Sequence, residues 1–197
     1  MIQHTVNFMK RIVILASGSG TNAENIIRYF KDSNLISVVQ ILCNKKDAKV
    51  FERAKRLNVS SLYFNRLEFF NEDKILNHLK QTADYIILAG FLWKIPESII
   101  NAFPNRIINI HPALLPKYGG KGMYGMNVHK AVVENKEKES GITIHFVNEN
   151  YDEGAIIFQE KFNILPSDLV EDVAQKIHKL EYEYFPKIIE KVILENG

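Results

Sequence analysis

The sequence predicts an α/β protein: a doubly wound, mostly parallel sheet, with antiparallel strands in the C-terminal part. Two patterns predict it. As far as Ile110, short apolar runs rich in β-branched residues alternate with amphipathic helical segments, as buried parallel strands and their crossover helices do. Beyond Pro112 the alternation stops, and two strand-like segments follow one another across a short loop, the spacing of an antiparallel hairpin.

Residues 11–16 (RIVILA) form the first strand, ended by Ser17-Gly18-Ser19-Gly20. Residues 22–31 read as a helix, with Ile26, Ile27 and Phe30 on one face. A strand over 36–42, a helix over 48–57, a short strand over 61–64 and a helix over 68–80 follow, then strands over 85–89 and 106–110. Residues 112–125 carry two prolines and four glycines, too long a loop for a plain connection in a compact domain. A helix over 127–135 leads to strands over 142–147 and 155–164, joined by a loop over 148–154. Ser167 or Asp168 is expected to cap a long C-terminal helix, which Pro186 is expected to kink. The expected whole is a single Rossmann-like domain over 1–197, with residues 1–8 a disordered extension.

The bulk numbers exclude several classes of function. The 197 residues are 46% hydrophobic and 24% charged, enough apolar material for a full core. The 25 basic and 23 acidic residues are interleaved and leave a net charge of +2. A nucleic-acid-binding face needs clustered Lys and Arg, so no nucleic-acid partner is expected. No apolar run approaches the ~18 residues that span a membrane, and the N-terminus lacks a signal-peptide core. The single cysteine, Cys43, allows no intramolecular disulfide and fits a reducing compartment. A cytoplasmic location is expected, with Cys43 an inert core thiol; the oligomeric state is not legible.

Three groups of residues carry candidate chemistry. Gly18-Ser19-Gly20-Thr21-Asn22-Ala23 follows a strand and opens a helix, where free amides favour an anion. It matches G-x-G-x-x-A, yet the end of the second strand reads Cys43-Asn44-Lys45-Lys46, without the carboxylate that a dinucleotide site needs. A lone phosphate on Gly20, Thr21 and Asn22 and a merely structural capped turn remain the two readings. Asn109 and His111 stand two apart at a strand end, hence on one face, where open α/β sheets bind ligands. Asp152 and Glu153 sit in the second loop beside Gly154, from which a carboxylate can meet the histidine. The other histidines (His4 in the extension, His78, His129 and His178 on helices, His145 in a strand) have no metal-ligand spacing, and no metal is expected.

These blocks together resemble the phosphoribosylglycinamide formyltransferase family. The resemblance rests on Ser17-Gly18-Ser19-Gly20-Thr21-Asn22, Leu88-Ala89-Gly90-Phe91, Asn109-Ile110-His111-Pro112-Ala113-Leu114-Leu115-Pro116 and Asp152-x-Gly154. It runs from Lys10 into the C-terminal helix. It implies formyl transfer from 10-formyltetrahydrofolate, as cosubstrate, to the amine of glycinamide ribonucleotide in purine biosynthesis. Residues 9–110 would then be the phosphate-binding half and 111–197 the folate and catalytic half. By position it implies Asn109, His111 and Asp152 as the catalytic set and Gly20, Thr21 and Asn22 as phosphate ligands. Glu181 would contact the ribonucleotide, while Leu92, Trp93, Lys94, Ile95 and Asn109 would line the folate pocket, with Arg66 as the folate-contacting arginine. The resemblance gives Asp152 the task of favouring a protonated His111. The chain departs from the family's Asp-Gly-Gly-Pro, reading Asp152-Glu153-Gly154-Ala155. A formyltetrahydrofolate deformylase shares the catalytic set but has no need of the phosphate loop. A non-catalytic nucleotide-binding module would explain only the first half.

Overall fold

The computed structural model describes residues 9–196; the extension expected at residues 1–8 lies outside them. Strand β1 (Lys10–Ala16) is fully buried from Ile12 to Ala16. It is flanked in parallel by β2 (Ile36–Cys43) and β4 (Tyr85–Leu88). β3 (Ser60–Tyr63) pairs in parallel outside β2, and β5 (Ile107–His111) in parallel outside β4. Two antiparallel strands, β6 (Glu139–Phe146) and β7 (Ile156–Asn163), complete one seven-stranded sheet of order β3-β2-β1-β4-β5-β6-β7. The expected fold class is what the chain adopts.

Alternate side chains of each central strand enter opposite layers, both of them covered. Ile12, Ile14, Ile87 and Ile108 pack on one face with Ile26 of α1 (Thr21–Tyr29) and with Ile177, Phe185 and Ile189 of α7 (Val170–Glu195). Val13, Leu15, Ile86 and Leu88 pack on the other. There they meet Ile75 and Leu79 of α4 (Lys74–Thr82) and Ile99 of α5 (Glu97–Ala102). Cys43 is buried in the first layer, and burial raises the pKa of its thiol.

Three local expectations need correction. The helix expected over 68–80 is two, α3 (Arg66–Phe70) and α4, separated at residues 71–73, and a capping box starts the first one early. Asn65 Oδ1 accepts from the Glu68 amide at 3.0 Å while Glu68 Oε2 accepts from the Asn65 amide at 2.9 Å. The short α5 carried no sequence signal strong enough to be anticipated. The C-terminal helix is capped neither by Ser167 nor by Asp168: its first turn is closed by Asp172, whose carboxylate accepts from the Leu169 amide at 2.8 Å. Asp168 instead accepts from the Leu165 amide at 2.8 Å and pairs with Lys176.

Pro186 lies inside α7, a 26-residue helix that continues past it. Proline donates no hydrogen bond to the carbonyl four residues earlier, here that of Tyr182. Asn25 Nδ2 of α1 donates to that carbonyl at 2.9 Å. The interruption thus becomes a tie between the first and last helices.

The turn after β1 is clamped to α2 (Val50–Arg56). Gly20 has φ 74°, and a Cβ there would lie 2.3 Å from Val50 Cγ2, so only glycine fits. The Val50 amide donates to the Gly18 carbonyl at 3.3 Å, and Arg53 Nε to the Ser19 carbonyl at 2.8 Å. Glu24 of α1 gathers Arg28 (2.8 Å), Arg53 and Arg56 (2.7 Å). Hydrogen bonds from Arg28, then Arg53 and Arg56, hold its carboxyl down at about 2 in spite of partial burial. A carboxyl depressed in the folded state stabilises above its unfolded pKa, and that stability is lost as pH falls through the folded one. Glu24→Gln should therefore cost about 1 kcal/mol at pH 7, the arginines being partly in solvent. Urea denaturation followed from pH 7 downward should show this deficit shrinking between the ordinary carboxyl range and pH 2.

Candidate active site at the carboxyl ends of the parallel strands

The chain runs from β1 outward to β3 and returns to β4 on the other side of β1. Their following loops diverge there, and the crevice left at such a switch point is where open α/β sheets bind ligands. The two loops remain tied at their base: the Ser17 amide donates to the Gly90 carbonyl at 3.0 Å, and the Leu92 amide to Ser17 Oγ at 3.0 Å. The resulting cleft has a volume of about 650 Å³, within the usual range for a small-ligand site. Gly20, Thr21, Asn22, Leu92, Asn109, His111, Asp152 and Glu181 all line it.

Asn109 and His111 end β5 with His111 only 3% exposed. His111 Nε2 lies 2.7 Å from the Tyr118 carbonyl. A carbonyl only accepts, so this nitrogen carries the hydrogen and Nδ1 is left to face Asp152 Oδ2 at 3.6 Å. Asp152 sits in a left-handed backbone conformation (φ 57°), and its Oδ2 accepts from the Gly120 amide at 2.9 Å. Its loop also passes very close to β6: a Cβ on Gly154 would lie 1.7 Å from the Phe146 carbonyl oxygen. The expected convergence of Asn109, His111 and Asp152 on one cleft is what the geometry gives.

A fourth residue joins them. His145, opposite Asn109 across the β5–β6 pairing, is 2% exposed. Its Nδ1 lies 2.8 Å from the Phe146 carbonyl and so carries the hydrogen. Nε2 therefore accepts from Asn109 Nδ2 at 3.1 Å, with Asp152 Oδ1 at 3.7 Å. This bond fixes which way the Asn109 amide points. His145 carries no local signal in the sequence beyond its place in a strand. The usable signal was register: in a hairpin beside the Asn109 strand, an inward-facing histidine seven residues before Asp152 falls on the same face.

Burial decides the charge of these histidines. It lowers the His111 pKa below the ordinary 6.5, although Asp152, the Tyr118 carbonyl and Glu181 all push upward. Burial likewise lowers His145, against the Phe146 carbonyl and Asp152 and with the help of His111. Asp152 acts in the direction expected, but desolvation outweighs it. At neutral pH burial thus favours the uncharged form of both rings.

The opposite end of the cleft is built differently. Gly20 precedes α1 without a side-chain cap, which leaves the first helical amides open toward the cleft. Asn22 Nδ2 donates to Glu181 Oε2 at 3.0 Å, and His178 Nδ1 to the same oxygen at 3.0 Å. Glu181 is 6% exposed and raises the His178 pKa by accepting this bond. Asn22 Oδ1 and His129 Nδ1 are buried without a protein partner, unused capacity that a bound ligand can take up. His129 and His178, passed over in the sequence as helix residues, both line the cleft.

The residues expected around a folate divide. Leu92 and Asn109 line the cleft, whereas Arg66, Trp93, Lys94 and Ile95 do not. Ile95 is 4% exposed and belongs to the core layer with Phe64 and Ile99. Trp93 packs against Phe64, Phe69, Phe70 and Phe91. The Arg66 guanidinium lies 4.7 Å from the Phe70 ring centroid and 5.7 Å from that of Trp93. Lys94 is exposed. Among the described residues no group of three or more His, Cys, Asp or Glu side chains is arranged to hold a metal ion, and no helix is long and apolar enough to cross a membrane.

Comparison with known proteins gives a consistent result. Residues 10–189 match the family model described as formyl transferase. The chain is 35% identical over 191 residues to the phosphoribosylglycinamide formyltransferase of Bacillus subtilis, covering 94% of this chain and 95% of that one. It is 37% identical over 187 residues to the chloroplastic phosphoribosylglycinamide formyltransferase of Arabidopsis thaliana, covering 91% of this chain but only 64% of that longer protein. The crystal structure of the phosphoribosylglycinamide formyltransferase from Bacillus halodurans superposes with a TM-score of 0.85 at 32% identity, covering 95% of this chain and 97% of that one. With its fold, its cleft and these likenesses in agreement, the chain belongs to the formyl transferase family, among the phosphoribosylglycinamide formyltransferases.

Proposed function

We propose that this cleft transfers the formyl group of 10-formyltetrahydrofolate to the glycyl amine of glycinamide ribonucleotide, a step of purine biosynthesis carried out in the cytoplasm. One observation carries the reading: an uncapped helix N-terminus suited to a phosphate and the Asn109–His111–Asp152 set line the same cleft. A formyltetrahydrofolate deformylase needs only the second. A nucleotide-binding module needs only the first.

The geometry supports one course for the reaction. The ribonucleotide's phosphate rests on the amides of Gly20, Thr21 and Asn22, and Glu181 meets its ribose or amine end. Its amine nitrogen attacks the formyl carbon; the C–N bond forms and the carbonyl electron pair moves to oxygen. Asn109, oriented by His145, donates to that oxyanion, an interaction strengthened where water is excluded. The amine proton passes to the His111–Asp152 pair, where His111 Nδ1 has its lone pair free. The imidazolium so formed is held between Asp152 and the Tyr118 carbonyl. It then returns the proton to the folate nitrogen as the bond between that nitrogen and the formyl carbon breaks. Leu92 lines the folate side of the cleft, and Arg66 with Trp93 offers a cationic and aromatic surface outside it for the rest of the folate.

Two substitutions test the two ends separately. Asp152→Asn keeps the side chain's size but removes the charge that supports the imidazolium. Turnover should fall by roughly 10²–10⁴-fold, with the dissociation constant of the ribonucleotide nearly unchanged. The acid limb of kcat/KM, which reports free-enzyme His111, should move to lower pH because an upward push on its pKa has gone. Near-normal turnover in folded Asp152→Asn would remove the acid–base role. Gly20 is a poor probe of the phosphate end, since any side chain there strikes Val50. Asn22→Ala, which removes the Nδ2 bond to Glu181 and the unpartnered Oδ1, should instead raise KM for the ribonucleotide by about tenfold, leaving KM for the folate alone. Equal effects on both substrates would return the loop to a structural turn.

A further inference from the structure

We infer that Tyr118 and Glu137 form a brace that positions His111, so that Glu137, outside the cleft, acts on the chemistry within it. The inference rests on the role given to His111 above. Tyr118 holds a left-handed backbone conformation, φ 57°, which non-glycine residues seldom adopt unless something holds them there. That conformation accompanies a carbonyl placed 2.7 Å from His111 Nε2.

The side chain supplies the hold. Tyr118 Oη donates to Glu137 Oε1 at 2.9 Å, and Lys117 Nζ lies 3.1 Å from the same oxygen and 3.4 Å from Oε2. Glu137 follows helix α6 (Met126–Glu134), and its own amide donates to the Val132 carbonyl at 3.2 Å. The carboxylate is therefore anchored to a packed helix. Bonds from Tyr118 and then Lys117 keep its pKa low, so it is an ionised acceptor at working pH, and hydrogen bonds to ionised groups are the stronger kind.

The same loop fixes the other side of the ring. Two residues on, the Gly120 amide donates to Asp152 Oδ2 at 2.9 Å, the oxygen that faces His111 Nδ1. One three-residue stretch thus sets the acceptor for Nε2 and the placement of the carboxylate opposite Nδ1. Loosening it alters the hydrogen position and the basicity of the ring together. The charged and titratable groups acting on His111 are Asp152, Glu181 and His145, none of them part of the brace. A shift in His111 caused by Glu137 must therefore travel through Tyr118.

The test compares Tyr118→Phe, Glu137→Leu, their double variant and Glu137→Gln in the full chain, reading formyl-transfer kinetics and the His111 ring nitrogens by ¹⁵N NMR. Tyr118→Phe and Glu137→Leu should each lower kcat about five- to twentyfold, with KM for the ribonucleotide within about twofold. Each should also lower the His111 pKa and carry the acid limb of kcat/KM with it, because the bond to the Tyr118 carbonyl raises that pKa. The double variant should be no worse than either single one. Glu137→Gln, which keeps an acceptor for the Tyr118 hydroxyl, should recover most of the loss. Unmoved His111 titration in folded variants, or additive losses in the double variant, would overturn the brace. A wild-type chain that transfers no formyl group defeats the functional reading instead, while the NMR titration still decides whether Glu137 and Tyr118 position the ring.

Discussion

The return of the chain from β3 to β4 on the far side of β1 is the constraint on which the site depends. It parts the loops after β1 and β4, and it puts β5, with Asn109 and His111, one strand further along the same sheet. Everything else is fastened to that crevice. Val50, Arg53 and Glu24 hold the glycine turn on one side. Antiparallel β6 brings His145 against Asn109 on the other, and α7 is tied to the crevice through the bond from Asn22 to Glu181. The first and last helices pack through Ile26, Ile177 and Phe185 and are tied further by the bond from Asn25 to the Tyr182 carbonyl, freed by Pro186.

Within the crevice, desolvation and hydrogen bonding act in opposite directions at the two ends. His111 and His145 are buried deeply enough that their neutral forms win, in spite of the carboxylate between them. His178 is half in solvent and bonded to Glu181, so its charged form gains. Histidines pushed apart in this way can serve different tasks at one pH: under the proposed reaction His111 takes up a proton, while the bond to Glu181 favours the charged form of His178 beside the Gly20–Asn22 turn. In the proposed reaction the neutral form of His111 is no handicap, since a base must begin without its proton. Two acceptors then wait for the imidazolium once it forms.

Much of this was legible in the sequence, for reasons that can be named. Buried parallel strands such as RIVILA have no polar face, and the punctuation Ser17–Gly20 marks the turn that follows. Asn109 and His111 announce themselves by a spacing of two at a strand end. What was missed was governed by contacts distant in sequence. His145 looked inert because its partner Asn109 is 36 residues away. The tie between Asn22 and Glu181 spans 159 residues; only the family resemblance pointed to Glu181, and nothing local marked His178. The first turn at Arg66 was missed because its cap, Asn65, lies outside the window expected for the helix. The upward push of Asp152 on His111 was legible from the motifs, while the larger effect of burial, to 3% exposure, belongs to the whole fold.

The central claim is that phosphate recognition and formyl transfer share one cleft. Its most direct measurement is a single-turnover assay with 10-formyltetrahydrofolate, with and without glycinamide ribonucleotide. The account predicts one formyl group transferred to the ribonucleotide's amine per folate consumed, and negligible consumption of the folate when the ribonucleotide is withheld. Steady release of formate without the ribonucleotide, undiminished when it is added, would contradict it.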